Sequence, residues 1–189
     1  MFYRLSTVNA PDYFDRRDLP CPSSLKMARY GATYRLAHIN MCLDMRSTIR
    51  AAGPSPDGTG AQVFYSVPSM DALEEILRND PYVIGGIWTS WSIEHLNDFI
   101  APLSEVPVCL DGSRRVTVVE APVSDRHSAI SALQRLRDEG VLAAGGITDG
   151  GTAIVWMSTG DHEETLNQLR GSGIDVSRKP RVYPMIWAL

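Results

Sequence analysis

A stretch in the first half of the chain recurs without a gap 92 residues later. Ala51-Ala52-Gly53-Pro54-Ser55-Pro56-Asp57-Gly58-Thr59-Gly60-Ala61-Gln62-Val63-Phe64-Tyr65-Ser66 aligns with Ala143-Ala144-Gly145-Gly146-Ile147-Thr148-Asp149-Gly150-Gly151-Thr152-Ala153-Ile154-Val155-Trp156-Met157-Ser158. Ala, Ala, Gly, Asp, Gly, Ala, Val and Ser return in step, and Phe64 meets the aromatic Trp156. A period close to half of a 189-residue chain means one supersecondary unit used twice.

The flanks agree with this. In the second copy, the β-branched run 115–121 reads as a strand, and Asp125 can cap a helix carrying Ile130, Leu133 and Leu136 that stops near Gly140. A glycine hairpin leads into a strand at 153–157. A helix opened by Asp161 is closed by Gly171 and Gly173, and 181–189 makes a last strand. That order is βαββαβ, the ferredoxin-like unit. The first copy repeats it with strands at 2–8, 48–52, 62–67 and 87–93, a helix within 25–47 and another at 69–79. Ser69 supplies the N-cap of that second helix, ahead of Leu73, Ile76 and Leu77. Residues 98–114, with Pro102, Pro107 and Gly112, read as a linker. The expected domains are 1–97 and 115–189, joined by 98–114.

Each such unit covers one sheet face with helices and leaves the other bare. Exposed apolar faces are rare in monomers. The fold class is therefore α+β, with two tandem units expected to pack sheet to sheet as a pseudo-twofold α+β barrel around a cavity. Such a barrel can stand as a monomer, and a homodimer is the other expectation.

Composition narrows function mainly by exclusion. With 44% hydrophobic and 21% charged residues the chain is globular. A net charge of −4 offers no basic footprint for nucleic acid or an anionic membrane. No apolar run reaches bilayer length, and the N-terminal residues meet charge and proline too early for a signal peptide. Cys21, Cys42 and Cys109 are scattered and odd in number, as free thiols in a reducing cytoplasm would be. The four histidines never pair at metal spacing, and no nucleotide-binding loop follows a strand. No metal and no cofactor are expected. The expected partner is a small-molecule substrate.

His38 is the remaining candidate for chemistry. Its helix shows two apolar stripes. Ala32, Leu36, Ile39 and Leu43 read as the ordinary core face, and Tyr34, His38, Met41 and Met45 lie roughly opposite. An imidazole among Tyr and Met side chains is partly desolvated and can be tuned by a carboxylate. The alternative is that this stripe simply packs beneath the excursion 9–24, with His38 bonded to backbone.

Three motifs in order bear on that choice. Arg35-Leu36-Ala37-His38-Ile39, Ala52-Gly53-Pro54-Ser55-Pro56, and Ser69-Met70-Asp71-Ala72-Leu73 running to Asp80-Pro81-Tyr82-Val83-Ile84-Gly85-Gly86 resemble the YCII-related family. Residues 65–77 are also similar to muconolactone isomerase, a neighbouring group of the same dimeric α+β barrel superfamily. The resemblance spans about residues 35–97. It implies a barrel fold, a catalytic pair at His38 and Asp80, and proton-transfer chemistry without a cofactor, such as lactone isomerisation or ring dehydrochlorination. At offset 92 the pair falls on Ile130 and Ser172, so the second copy lacks both groups. The insertion 9–24 departs from the family pattern.

Substrate contacts are expected from Tyr34, Tyr65, Tyr82, Trp91 and Tyr183, which would suit a flat, apolar, partly oxygenated molecule. The leading expectation is a cytoplasmic isomerase or lyase acting on a small aromatic, lactone or polyketide-like substrate. A cofactor-free monooxygenase and a non-catalytic binding module are the alternatives.

Overall fold

The computed structural model describes residues 1–22, 31–101 and 108–188. Its elements are β1 (Phe2–Asn9), α1 (Tyr13–Arg16), α2 (Tyr34–Asp44), β2 (Ile49–Pro54), β3 (Gly60–Ser66), α3 (Met70–Arg78), α4 (Pro81–Ile84), β4 (Trp88–Ile100), β5 (Arg115–Pro122), α5 (Arg126–Asp138), β6 (Leu142–Thr148), β7 (Thr152–Met157), α6 (His162–Leu169) and β8 (Arg181–Ile186). Setting aside the single turns α1 and α4, each half runs βαββαβ, and the fold class is α+β. The part of the expected first helix before residue 31, Pro102 and Pro107 of the expected linker, and Leu189 lie outside the described residues.

The chain divides into two compact units, one spanning Tyr3–Ile93 and the other beginning at Glu94. In the first, the strand order is β2-β3-β1-β4. The β2–β3 hairpin is antiparallel with Ala52 opposite Val63. Its turn is fixed by Asp57, whose Oδ1 accepts from the Thr59 N–H at 3.0 Å. Ser69 caps α3 through the Ala72 N–H at 3.2 Å. Leu5, Phe64, Tyr65, Leu73 and Ile87 are fully buried, and each such side chain is worth about 1.5–3 kcal/mol relative to exposure.

In the second unit the order is β6-β7-β5-β8, the same arrangement in its own numbering. Leu133, Leu136, Val119, Ile147, Val155 and Leu169 belong to its core. β4 is longer than the expected strand. From Glu94 onward it belongs to this unit, with Phe99 opposite Gly146 and Ile100 opposite Gly145 on β6. Gly146 permits the pairing. A Cβ on Gly146 would lie 2.8 Å from the Asp98 carbonyl oxygen, closer than real side chains come.

The repeat holds at its 92-residue spacing from the first long helix onward. α2 and α5 begin at Tyr34 and Arg126, and α3 and α6 at Met70 and His162. The first strands break it, since β1 starts at Phe2 and β5 at Arg115, a spacing of 113. The first unit therefore carries 21 additional residues (113 less 92) between its first strand and α2, and α1 lies within them.

One expectation is reversed. Leu36, assigned to the core stripe of α2, is 48% exposed, while Ala37, Met41 and Cys42 are buried. The face bearing His38 is the one turned inward. Both stripes are apolar, so apolarity does not choose between them. The choice follows from α4, against which α2 packs. Among the described residues no helix is long and apolar enough to cross a membrane.

Candidate active site

The site begins with a proline. A residue preceding proline is pushed out of helical geometry, and Asp80 accordingly sits in extended conformation (φ −72°, ψ 127°) just beyond α3. From there its carboxylate caps α4, with Oδ1 accepting the Tyr82 backbone N–H at 2.8 Å. Gly85 and Gly86 end the turn. Gly86 takes φ +62°, and a Cβ on Gly85 would meet the Tyr34 ring at 2.9 Å.

Oδ1 of Asp80 also receives the imidazole of His38, whose Nδ1 lies 2.9 Å away. Asp80 is completely buried, and the His38 side chain retains 14% exposure. The second oxygen, Oδ2, is buried without a hydrogen-bond partner among the described residues. With Nδ1 held by the carboxylate, Nε2 is the nitrogen left for chemistry. The Cys42 sulfur, one turn along α2, lies 3.7 Å from it.

Aromatic rings wall this group. Tyr82 stacks on His38 with centroids 4.0 Å apart and planes 11° apart. Trp88 meets the imidazole edge-on at 5.1 Å and Tyr82 at 5.7 Å. From the insertion, Tyr13 contacts Tyr82 edge-on at 6.2 Å, and Arg17 lies over the Tyr13 ring at 5.2 Å.

Electrostatics follow from this packing. Burial disfavours the His38 imidazolium, but Asp80 and Cys42 outweigh it and hold the imidazole well above its ordinary value of 6.5. Burial, then the charge of Asp80, push the Tyr65 phenol well up. Burial and Tyr13 likewise push Tyr82 far above the usual phenol range, with Arg17 and Arg35 opposing. Both phenols are neutral hydroxyl groups at physiological pH.

Of the residues singled out from sequence, the fold brings His38, Asp80 and Tyr82 into direct contact. Tyr65 is buried on β3, where the charge of Asp80 acts on it. Tyr34 opens α2 and packs with Ala37, Met41 and Cys21. Trp91 lies on β4 and is 41% exposed. Tyr183 belongs to the second unit, where its hydroxyl donates to Glu120 at 2.7 Å. Sequence reasoning missed Cys42, although its i+4 spacing from His38 on one helix was a readable signal. Tyr13 and Arg17 had no such signal, because α1 interrupts the repeat.

The second unit keeps the turn and lacks the imidazole and the carboxylate. Ser172 stands 92 residues after Asp80, and its Oγ accepts the Ile174 N–H at 3.3 Å, just as Asp80 accepts that of Tyr82. Ile130 and Ile174, at the positions of His38 and Tyr82, pack in the apolar core. His95 and Asp149 of this unit also pair at 3.0 Å, but on an open surface.

Searches of the sequence against protein-family models and against curated proteins found no match. Solved structures are similar to this chain. A candidate monooxygenase from Fusobacterium nucleatum subsp. nucleatum is similar over 100% of this chain and 92% of its own, with TM-score 0.54 at 8% identity. An anthrone oxidase-like protein covers 100% of this chain and 90% of its own, with TM-score 0.42 at 12% identity. The 5-chloro-2-hydroxyhydroquinone dehydrochlorinase of Burkholderia phenoliruptrix, in complex with 2,5-dihydroxybenzoquinone, covers 52% of this chain and 95% of its own, with TM-score 0.41 at 18% identity. At such identities similarity speaks to fold alone, and the first of the three, spanning the whole chain, carries it.

Proposed function

We propose that this chain is a cofactor-independent isomerase or lyase of the YCII-related and muconolactone isomerase-like kind, acting on a small aromatic, lactone or polyketide-like molecule. One observation carries the reading: a buried carboxylate holds one imidazole nitrogen at 2.9 Å and leaves the other, in an aromatic-walled setting, for proton transfer. General-base catalysis is well served by this arrangement. Asp80 fixes the tautomer with the proton on Nδ1 and stabilises the imidazolium formed when Nε2 accepts a proton.

In an isomerisation, Nε2 takes a proton from carbon beside a carbonyl and returns it elsewhere on the same molecule. In a dehydration or dehydrohalogenation, the same abstraction expels hydroxide or halide from the neighbouring carbon. Both are redox-neutral. The neutral hydroxyls of Tyr65 and Tyr82 are suited to hydrogen-bond an oxygenated substrate without competing for the proton.

Incubation in D2O with a panel of lactones and hydroxylated ring compounds tests this, with NMR following deuterium entry and product formation. Expected is exchange or turnover that requires His38 and consumes no oxygen. Stoichiometric oxygen uptake would replace the reading with a monooxygenase. Binding without exchange or turnover would replace it with a binding module.

A further inference from the structure

Cys42 is a buried nucleophile beside His38 that the proton-transfer reading does not use. Its Sγ lies 3.7 Å from His38 Nε2, and His38 Nδ1 lies 2.9 Å from Asp80 Oδ1. Asp80 is in turn fixed by the Tyr82 N–H at 2.8 Å. A nucleophile within reach of a base, with the base oriented by a third group, is the arrangement by which enzymes activate a thiol. The three side chains come from α2 and the residue preceding α4, both held by packing, so the order thiol–imidazole–carboxylate is built into the unit.

We propose that Cys42, His38 and Asp80 form a thiol-activating relay that attacks soft carbon electrophiles, of which quinones and conjugated enones are the matching chemical class. In the step, taken from the neutral imidazole, the Cys42 proton passes to His38 Nε2 while the sulfur forms a bond to the β-carbon of the acceptor. The π pair between the α- and β-carbons shifts to join the α-carbon and the carbonyl carbon, the carbonyl π pair moves to oxygen, and the proton on Nε2 then passes to that enolate. Nothing is oxidised or reduced apart from the addition itself, and no co-reactant is required. The imidazolium left on His38 during the attack is the species that Asp80 stabilises. This inference rests on the same His38 as the proposed function but adds a covalent event to it.

Cys21 provides an internal control. It is 8% exposed and Cys42 is 6% exposed, so the two thiols are buried alike. For Cys21, burial alone raises the thiol. Cys109 is more open, and its Sγ bonds Asp111 Oδ1 at 2.9 Å.

The full chain is treated with iodoacetamide and, separately, with 1,4-benzoquinone, and labelling at the three cysteines is timed by peptide mass spectrometry. With iodoacetamide the sulfur displaces iodide and the thiol proton leaves through His38. Cys42 is expected to react about tenfold or more faster than Cys21 with both reagents. In His38→Gln its rate should fall about tenfold or more, with Cys109 unchanged. Labelling of Cys42 no faster than Cys21, or a rate unaltered by His38→Gln, overturns the proposal. Should His38→Gln fail to fold by circular dichroism, the wild-type ratio of Cys42 to Cys21 and the same measurement on Asp80→Asn decide it. Deuterium exchange into substrate with an inert Cys42 leaves the proton-transfer reading standing and removes this one. A reactive Cys42 without exchange does the reverse.

Discussion

The rings of His38 and Tyr82 lie parallel, 4.0 Å between centroids and 11° between planes. The backbone N–H of Tyr82 and Nδ1 of His38 converge on the same carboxylate oxygen of Asp80, at 2.8 and 2.9 Å. One side chain thereby anchors both partners of the stack, and the imidazole is restrained in its plane and at its edge. Such restraint keeps a base in one tautomer and one orientation.

Replacing the proposed base is the first test. His38→Ala should lower turnover by about 10²–10⁴ with the fold retained. Steady-state rates alongside far-ultraviolet circular dichroism read both quantities. Full activity in this variant would remove His38 from the chemistry.

Asp80→Asn should lower turnover less than His38→Ala, because an amide can still orient the ring while stabilising the imidazolium poorly. The double variant should be little worse than His38→Ala alone, since groups acting as one unit are not additive. A double variant showing the product of the two single losses would mean that they act separately.

The raised imidazole sets two pH trends. Because His38 titrates well above 6.5 in the folded chain, the stability it contributes is complete below about pH 6.5 and is lost as pH rises through the folded value. Urea midpoints between pH 6 and 9 should decline more in the wild type than in His38→Gln. The kcat/KM profile should rise with pH through that same raised value, and Asp80→Asn should move the limb to lower pH.

The second unit suggests a substitution set. Converting His38, Asp80 and Tyr82 to Ile, Ser and Ile reproduces its Ile130, Ser172 and Ile174. Since an apolar replacement for a buried ion pair is often neutral or stabilising by about 1–4 kcal/mol, the triple variant should fold at least as stably while losing turnover. A collapse in the denaturation midpoint would show that the pair supports the fold as well as the chemistry.

Gly86→Ala places a side chain at φ +62° and should destabilise by about 1–2 kcal/mol. It should also disturb the insertion, because Arg16 Nη1 donates to the Gly86 carbonyl at 3.2 Å. Chemical denaturation measures the first effect, and limited proteolysis between α1 and α2 the second.

Local patterns announced much of this molecule. The 92-residue echo around Gly53 and Gly145 and the caps at Ser69, Asp125 and Asp161 are short-range signals, and the α+β class with two βαββαβ units follows from them. Asp80-Pro81 was legible as a helix stop for the same reason, since proline acts on its immediate neighbour. Tertiary packing decided the rest. Which apolar stripe of α2 faces inward depends on α4, so Leu36 is exposed and Cys42 is buried beside His38. The extension of β4 onto β6 depends on Gly146, about fifty residues further along the chain, which lets the strands approach. Placing Tyr13 and Arg17 beside Tyr82 depends on where the insertion folds back. A residue's conformation is set within a few positions of itself, and those sequence determined. Which side chains share a site is set by burial across the whole unit, and only the three-dimensional structure resolves it.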